Sequence, residues 1–348
     1  MTEDVWSAQD TTPDEIESAL RELLRERHAA NEALAPARVL NLVVVVDRDW
    51  KGEIANRLQR VGRYNASRTV LCAVEEGRQK LDARAVMRYE EPRQGSGLGV
   101  MLEEVEIDLG PGQLEHLETV IDPVIVSDLP TMLWSPHGHD EAVRAMLDVV
   151  DVILLDSDDL ADPPEAFARA TELLRSAYVV DLAWLRTTPW RERLAASFDP
   201  PNRRAALSRI GNIEVRHQPT SAASATLLAG WLCARLRWHA QPFGSRNGAG
   251  LRSVADGPGR EIEIELAPVD QEVPGLVGVT VGCGEEFSLS LDRGPGGLSA
   301  HELPGDRTWR VLGASRGEAG ILGEGVRQAL LRDPTYGPAL SAARRLSG

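Results

Sequence analysis

Lysine is almost missing from this 348-residue chain: Lys51 and Lys80 are the only two among 38 lysines and arginines. Chemistry that depends on a lysine, such as a Schiff base, therefore has nearly no candidates. Neither lysine stands in the G-x-x-x-x-G-K-[ST] pattern of a P-loop. Cysteine is nearly as scarce. Cys72, Cys233 and Cys283 lie far apart and form no C-x-x-C, which excludes a disulfide framework or a cysteine-rich zinc site and fits a reducing cytoplasm. No window approaches the ~20 apolar residues of a membrane-spanning helix. The opening MTEDVWSAQDTTPDE is acidic and lacks the apolar stretch of a secretory signal. Positive charge is in deficit, since 53 acidic residues leave a net charge of −15. That balance argues against nucleic acid and against an anionic membrane as partners.

What is present is an ordinary globular composition, 43% hydrophobic and 26% charged, over a length that suggests two domains. Residues 1–11 are expected to be a flexible tail. Thr12-Pro13-Asp14-Glu15 is a capping box with proline at the first helical position. Apolar runs at Leu40–Val46 and Thr69–Val74 flank a helical stretch marked by Ile54, Leu58 and Val61, a βαβ pattern. Strands near 86–89 and 100–109 read as an antiparallel pair, followed by alternating strands and helices to about Ser176. Later the period switches to two, at Ile262, Ile264 and Leu266, then Val277, Val279 and Val281, then Phe287, Leu289 and Leu291. The expected architecture is an α/β N-terminal domain over 12–176 with a mixed, largely parallel sheet. An α+β C-terminal domain containing an antiparallel meander follows over 177–348.

Catalytic patterns fail one after another. Gly313-Ala314-Ser315-Arg316-Gly317 fits a nucleophile elbow, but no histidine follows His301 to serve as its base. Gly95–Gly99 is not G-x-G-x-x-G and precedes a strand, so no dinucleotide is expected. His137 and His139 could offer imidazoles to a metal, yet the remaining ligands of such a site have no recognisable motif. Asp156, Asp158 and Asp159 follow an apolar strand, where carboxylates can hold Mg²⁺. No lysine lies downstream, and a solvated loop capping the next helix is the simpler expectation. No cofactor and no metal are expected.

The stretch DLAWLRTTPWRERLAASFDPP, 181–201, is the most informative. Asp181–Leu185 reads as the end of a strand, Thr187 and Thr188 offer capping hydroxyls, and Pro189 suits a first helical turn. Trp190, Leu194 and Phe198 share one helical face, and Pro200 and Pro201 end the helix. Trp and Arg are enriched where proteins dock, so Arg186, Arg191 and Arg193, expected to be exposed, are the partner-binding candidates. Arg60, Arg63 and Arg68 form one candidate anion site, Arg203 and Arg204 another, because guanidinium forks suit phosphate or carboxylate. Surface pairing with the surplus acids is the plain alternative for each.

DLAWLRTTPWRERLAASFD also resembles the central signature of the OpcA family, the glucose-6-phosphate dehydrogenase assembly proteins. ARVLNLVVVV at 37–46, ETVIDPVIVSDLPTMLWSP at 118–136 and DVILLDS at 151–157 resemble that family in the same order. Together they span about Ala37 to Pro201. Ser135 departs from the family pattern, where a second tryptophan would follow Trp134. The resemblance implies a non-catalytic cytoplasmic protein that binds and activates glucose-6-phosphate dehydrogenase in the pentose phosphate pathway. Its self-association is left open. The rival expectation is a sugar-phosphate-binding sensor, or a Mg-dependent phosphoryl-transfer enzyme using the Asp156 cluster.

Overall fold

The computed structural model of the chain describes residues 2–30, 34–36, 38–62, 67–90, 99–245, 250–284, 287–294, 296–312 and 317–348. These residues form two compact units that interleave in sequence. Met1–Leu155, Leu173–Val180 and Leu322–Leu330 make the first, and Asp156–Glu172, Asp181–Ile321 and Leu331–Gly348 make the second. The boundary expected near Ser176 falls inside a stretch of the first unit, because the chain passes between the units more than once.

The first unit is built on a mixed sheet in the strand order Thr2–Thr11, Leu81–Glu90, Gly99–Leu109, Ser67–Val74, Leu40–Asp47, Thr131–Trp134, Val152–Leu155 and Tyr178–Asp181. The pairings from Gly99–Leu109 through Val152–Leu155 are parallel. Leu81–Glu90 pairs antiparallel with Gly99–Leu109, as the alternation of Val105, Ile107 and Leu109 with charges implied. Leu40–Asp47 is buried over seven consecutive residues, which is why it reads as an apolar run, broken only by the buried, hydrogen-bonded Asn41. The N-terminal tail is a correction. Thr2–Thr11 is a strand at the sheet edge, pairing antiparallel with Leu81–Glu90. Its mostly polar composition, TEDVWSAQDT, hid that edge role. The capping box forms as read: Glu15 accepts from the Thr12 amide at 3.1 Å, and the Glu15 amide donates to the Thr12 hydroxyl at 3.4 Å. Helix Pro13–Ala30 then buries Ile16 and Leu20.

The second unit holds the other sheet, in the order His239–Ala240, Leu251–Gly257, Arg260–Pro268, Asn212–His217, Leu276–Gly282, Ser288–Gly294, Gly297–Leu303 and Arg307–Leu312. The expected meander is present, but Asn212–His217 is inserted into it. That strand runs parallel to Arg260–Pro268 and antiparallel to Leu276–Gly282. Helix Ala222–Leu236 is buried on nearly every side, as its composition requires. It packs against helix Tyr336–Ser347 so closely that a Cβ on Gly230 would lie 2.5 Å from the Ala339 carbonyl oxygen. Glycine is needed there for approach, not for backbone freedom. No described helix is long and apolar enough to cross a membrane. All three cysteines are free and buried.

Candidate functional site

The strand Tyr178–Asp181 ends at Asp181, four residues short of the Leu185 that the sequence suggested. Asp181 accepts a hydrogen bond from the Ala183 amide at 3.0 Å, so the chain turns directly into the short helix Leu182–Arg186. An aspartate satisfying an otherwise unpaired amide favours a helical turn over further strand. Helix Thr188–Phe198 follows, with Trp190, Leu194 and Phe198 buried on one face as its spacing implied. Thr187 does not cap it through its side chain. Its hydroxyl donates to the Trp184 carbonyl at 2.7 Å and accepts from Arg191 Nε at 2.9 Å.

Around this turn three carboxylates converge, all within the second unit. Arg186 donates from both ends of its guanidinium to the two oxygens of Asp156, at 2.7 and 2.6 Å, and stands 3.5 Å from Asp158. Asp158 accepts from the amide and the hydroxyl of Ser224, at 3.0 and 2.5 Å. Asp181 is 1% exposed and accepts four hydrogen bonds. The donors are the Ser157 amide and hydroxyl, the Ala183 amide and the Tyr336 hydroxyl. Burial, and then the charge of Asp156, push Asp158 up to about 7 and Asp181 up to about 6 from 3.8. The solvated loop expected at Asp156 is thus a buried, fully bonded corner. Both Asp156 oxygens are taken by a guanidinium, which disfavours a second cation there. Among the described residues no group of three or more His, Cys, Asp or Glu side chains is placed to hold a metal.

Arg191 lies 3.5 Å above the centroid of the Trp184 ring, while the indole Nε1 donates to Asp333 at 2.9 Å. Arg191 also donates to the Thr188 hydroxyl at 2.9 Å and approaches Asp333 at 3.6 Å. Burial lowers it to about 10, so it stays charged at neutral pH. Arg186 and Arg191 were expected to be exposed, and the structure corrects this: their side chains are 10% and 11% exposed. Charge alone suggested the surface, but the acids that pair with them, Asp156 and Asp333, come from distant segments.

Arg193 differs. It is half-buried and its Nε has no hydrogen-bond partner among the described residues. With Ala196, Ser197, Arg203, Leu291, Arg307 and Trp309 it lines a pocket of about 350 Å³. Arg203 pairs with Glu302 there and lies 5.6 Å from the Trp309 ring centroid. Arg307 and Trp309 were missed from the sequence, although their i, i+2 spacing places both on one face of strand Arg307–Leu312. The two arginines paired in the expected C-terminal anion site separate. Arg204 is exposed, donates to the Asp199 carbonyl at 2.8 Å and lines a different, mainly apolar cleft with Phe198 and Trp231.

Of the N-terminal anion candidates only the Arg68 side chain lies among the described residues. Arg68 is buried and spends its guanidinium on Glu103 at 2.9 Å and the Val124 carbonyl at 2.8 Å. Glu103 also accepts from Arg38. Arg63 and the side chain of Arg60 lie outside the described residues, as do Gly95–Leu98 and Gly313–Arg316. His137 packs its ring 5.2 Å from that of Trp50, and His139 Nε2 stands 3.1 Å from an Asp47 carboxylate oxygen.

Comparison with known proteins places these elements in a family. Residues 58–172 match the glucose-6-phosphate dehydrogenase subunit N-terminal domain, and residues 177–340 the C-terminal domain of the same subunit. A protein from Synechococcus elongatus named for the OxPP cycle, OpcA, is 26% identical over 245 residues, 67% of this chain and 54% of that protein. Its Synechocystis namesake is 31% identical over 129 residues, 36% of this chain and 27% of that protein. The chain thus spans about half, or less, of the length of the curated relatives it matches. Among solved structures, the WlbA dehydrogenase from Thermus thermophilus superposes with a TM-score of 0.44 at 15% identity, over 88% of this chain and 94% of that one.

Proposed function

This chain belongs to the OpcA family of glucose-6-phosphate dehydrogenase subunits, and on that premise we propose that it is a non-catalytic partner of the dehydrogenase. It binds the enzyme in the cytoplasm and promotes its active assembly in the oxidative branch of the pentose phosphate pathway. The observation that carries this reading is the match of both subunit domains, in order, along one chain. The acidic corner supports it. Asp156, Asp158 and Asp181, its most conspicuous titratable constellation, point their oxygens at internal donors rather than into a reaction cleft.

An activator shifts an equilibrium only by binding the active form more tightly than the inactive one. The docking surface we assign is the outer side of helix Thr188–Phe198. Among Arg186, Arg191 and Arg193, Arg193 has no acceptor among the described residues, whereas Arg186 is held by Asp156 and Arg191 by Trp184 and Asp333. The test is direct. The purified chain is mixed with the dehydrogenase of the same organism, and NADP⁺ reduction and co-elution on a sizing column are followed. Co-elution with a rise in turnover is expected, with no reduction by the chain alone. Separate elution and unchanged turnover would remove the reading.

A further inference from the structure

We propose that the pocket between Arg193, Arg203, Arg307 and Trp309 binds a phosphate monoester carried on a sugar-sized ring. Three guanidinium groups line this one concavity, in a chain whose acids outnumber its bases 53 to 38. In such a chain arginines find carboxylates easily, and Arg203 does so with Glu302. Arg193 and Arg307 do not: no described residue pairs with either, and Arg193 Nε is buried without an acceptor. Two guanidinium groups at the pocket wall thus form no ion pair with any described residue.

The charge selects the ligand class. A carboxylate brings one negative charge, whereas a phosphate monoester brings about −1.5 to −2 at neutral pH and three acceptor oxygens. Arginine forks match those oxygens two at a time. The volume, about 350 Å³, lies at the small end of ligand pockets and leaves room beyond a bare phosphate. Trp309, half-buried against the core, and the buried Leu291 supply the apolar wall a sugar ring needs. Arg193, Ala196 and Ser197 come from one side of helix Thr188–Phe198, so small residues beside the cation keep the mouth open.

Arg193 is also assigned to the docking surface, so the pocket is tested on the isolated full-length chain, without the dehydrogenase, by titration calorimetry. The probes are a hexose 6-phosphate, inorganic phosphate and the unphosphorylated hexose. Expected are saturable binding of the hexose phosphate, at least about tenfold weaker binding of inorganic phosphate, and none of the hexose. Arg193→Gln and Arg307→Gln should each weaken hexose phosphate by about tenfold or more, as loss of one charge-assisted contact does. Arg204→Gln, in the other cleft, should leave it unchanged. Arg307 is exposed, so its variant decides the matter if Arg193→Gln does not fold. No saturable binding of either phosphate probe, or binding indifferent to Arg307→Gln, overturns the proposal. Equal affinity for inorganic phosphate and hexose phosphate overturns the ring contact with Trp309. Capture of an acidic peptide in place of both phosphate probes would overturn it as well.

Discussion

Arg186 and Asp156 form a two-pronged ion pair, at 2.7 and 2.6 Å, with side chains 10% and 7% exposed. A buried pair of this kind holds a corner together because removing one partner leaves the other charged and unsolvated.

Arg186→Ala should therefore act on folding. Breaking a buried pair costs about 3–5 kcal/mol, so thermal unfolding should move down by many degrees. Arg193→Ala, with no acceptor among the described residues to abandon, should leave the melting temperature nearly unchanged while weakening capture by the dehydrogenase by ~2 kcal/mol, about thirtyfold. If Arg186→Ala melts like the wild type, the corner is not structural. If Arg193→Ala binds like it, docking lies elsewhere.

Packing around helix Ala222–Leu236 leaves no room for a methyl group at Gly230, where backbone atoms of Ala339 and Ala343 would lie within 3 Å of a new Cβ. Gly230→Ala should destabilise by about 1–3 kcal/mol through overpacking. Trp190→Ala, which empties a residue only 1% exposed, should cost about 3–5 kcal/mol. Urea unfolding of both variants measures this, and unfolding midpoints equal to the wild type would contradict the packing described.

Asp158 and Asp181 make stability depend on pH. Their folded values, about 7 and about 6, are raised above the ordinary 3.8, so the native state binds these protons more tightly than the unfolded chain. Their contribution is full below the unfolded value and is lost as pH rises through the folded values. Relative to Asp158→Asn, which cannot titrate, the wild type should thus lose on the order of a few kcal/mol between about pH 4 and pH 8. Parallel stability curves for the two proteins across that window would refute it.

Burial pushes the thiols of Cys72 and Cys233 up to about 12 and that of Cys283 up to about 11. The reactive thiolate is thus nearly absent at neutral pH. An aromatic disulfide reagent should label none of them in the native protein and all three after unfolding. Activation of the dehydrogenase should not respond to dithiothreitol. Rapid native labelling, or activation lost on oxidation and restored by reductant, would reverse this view.

Local patterns were legible because they repeat within a few residues. The Thr12–Glu15 capping box, the buried run Leu40–Val46 and the face shared by Trp190, Leu194 and Phe198 follow from helix and strand periods alone. The family signature around Trp184 and Trp190 was readable for the same reason, being one contiguous run. Tertiary structure decided which charges meet. Asp158 finds Ser224 across 66 positions, Asp181 finds Tyr336 across 155, and Arg203 finds Glu302 across 99. No period links such residues, since long-range partners are selected by sheet order and helix packing. The insertion of Asn212–His217 between Arg260–Pro268 and Leu276–Gly282 shows the same limit. Alternation tells a strand which face to bury but not which neighbour to take, and only the closed core settles that choice.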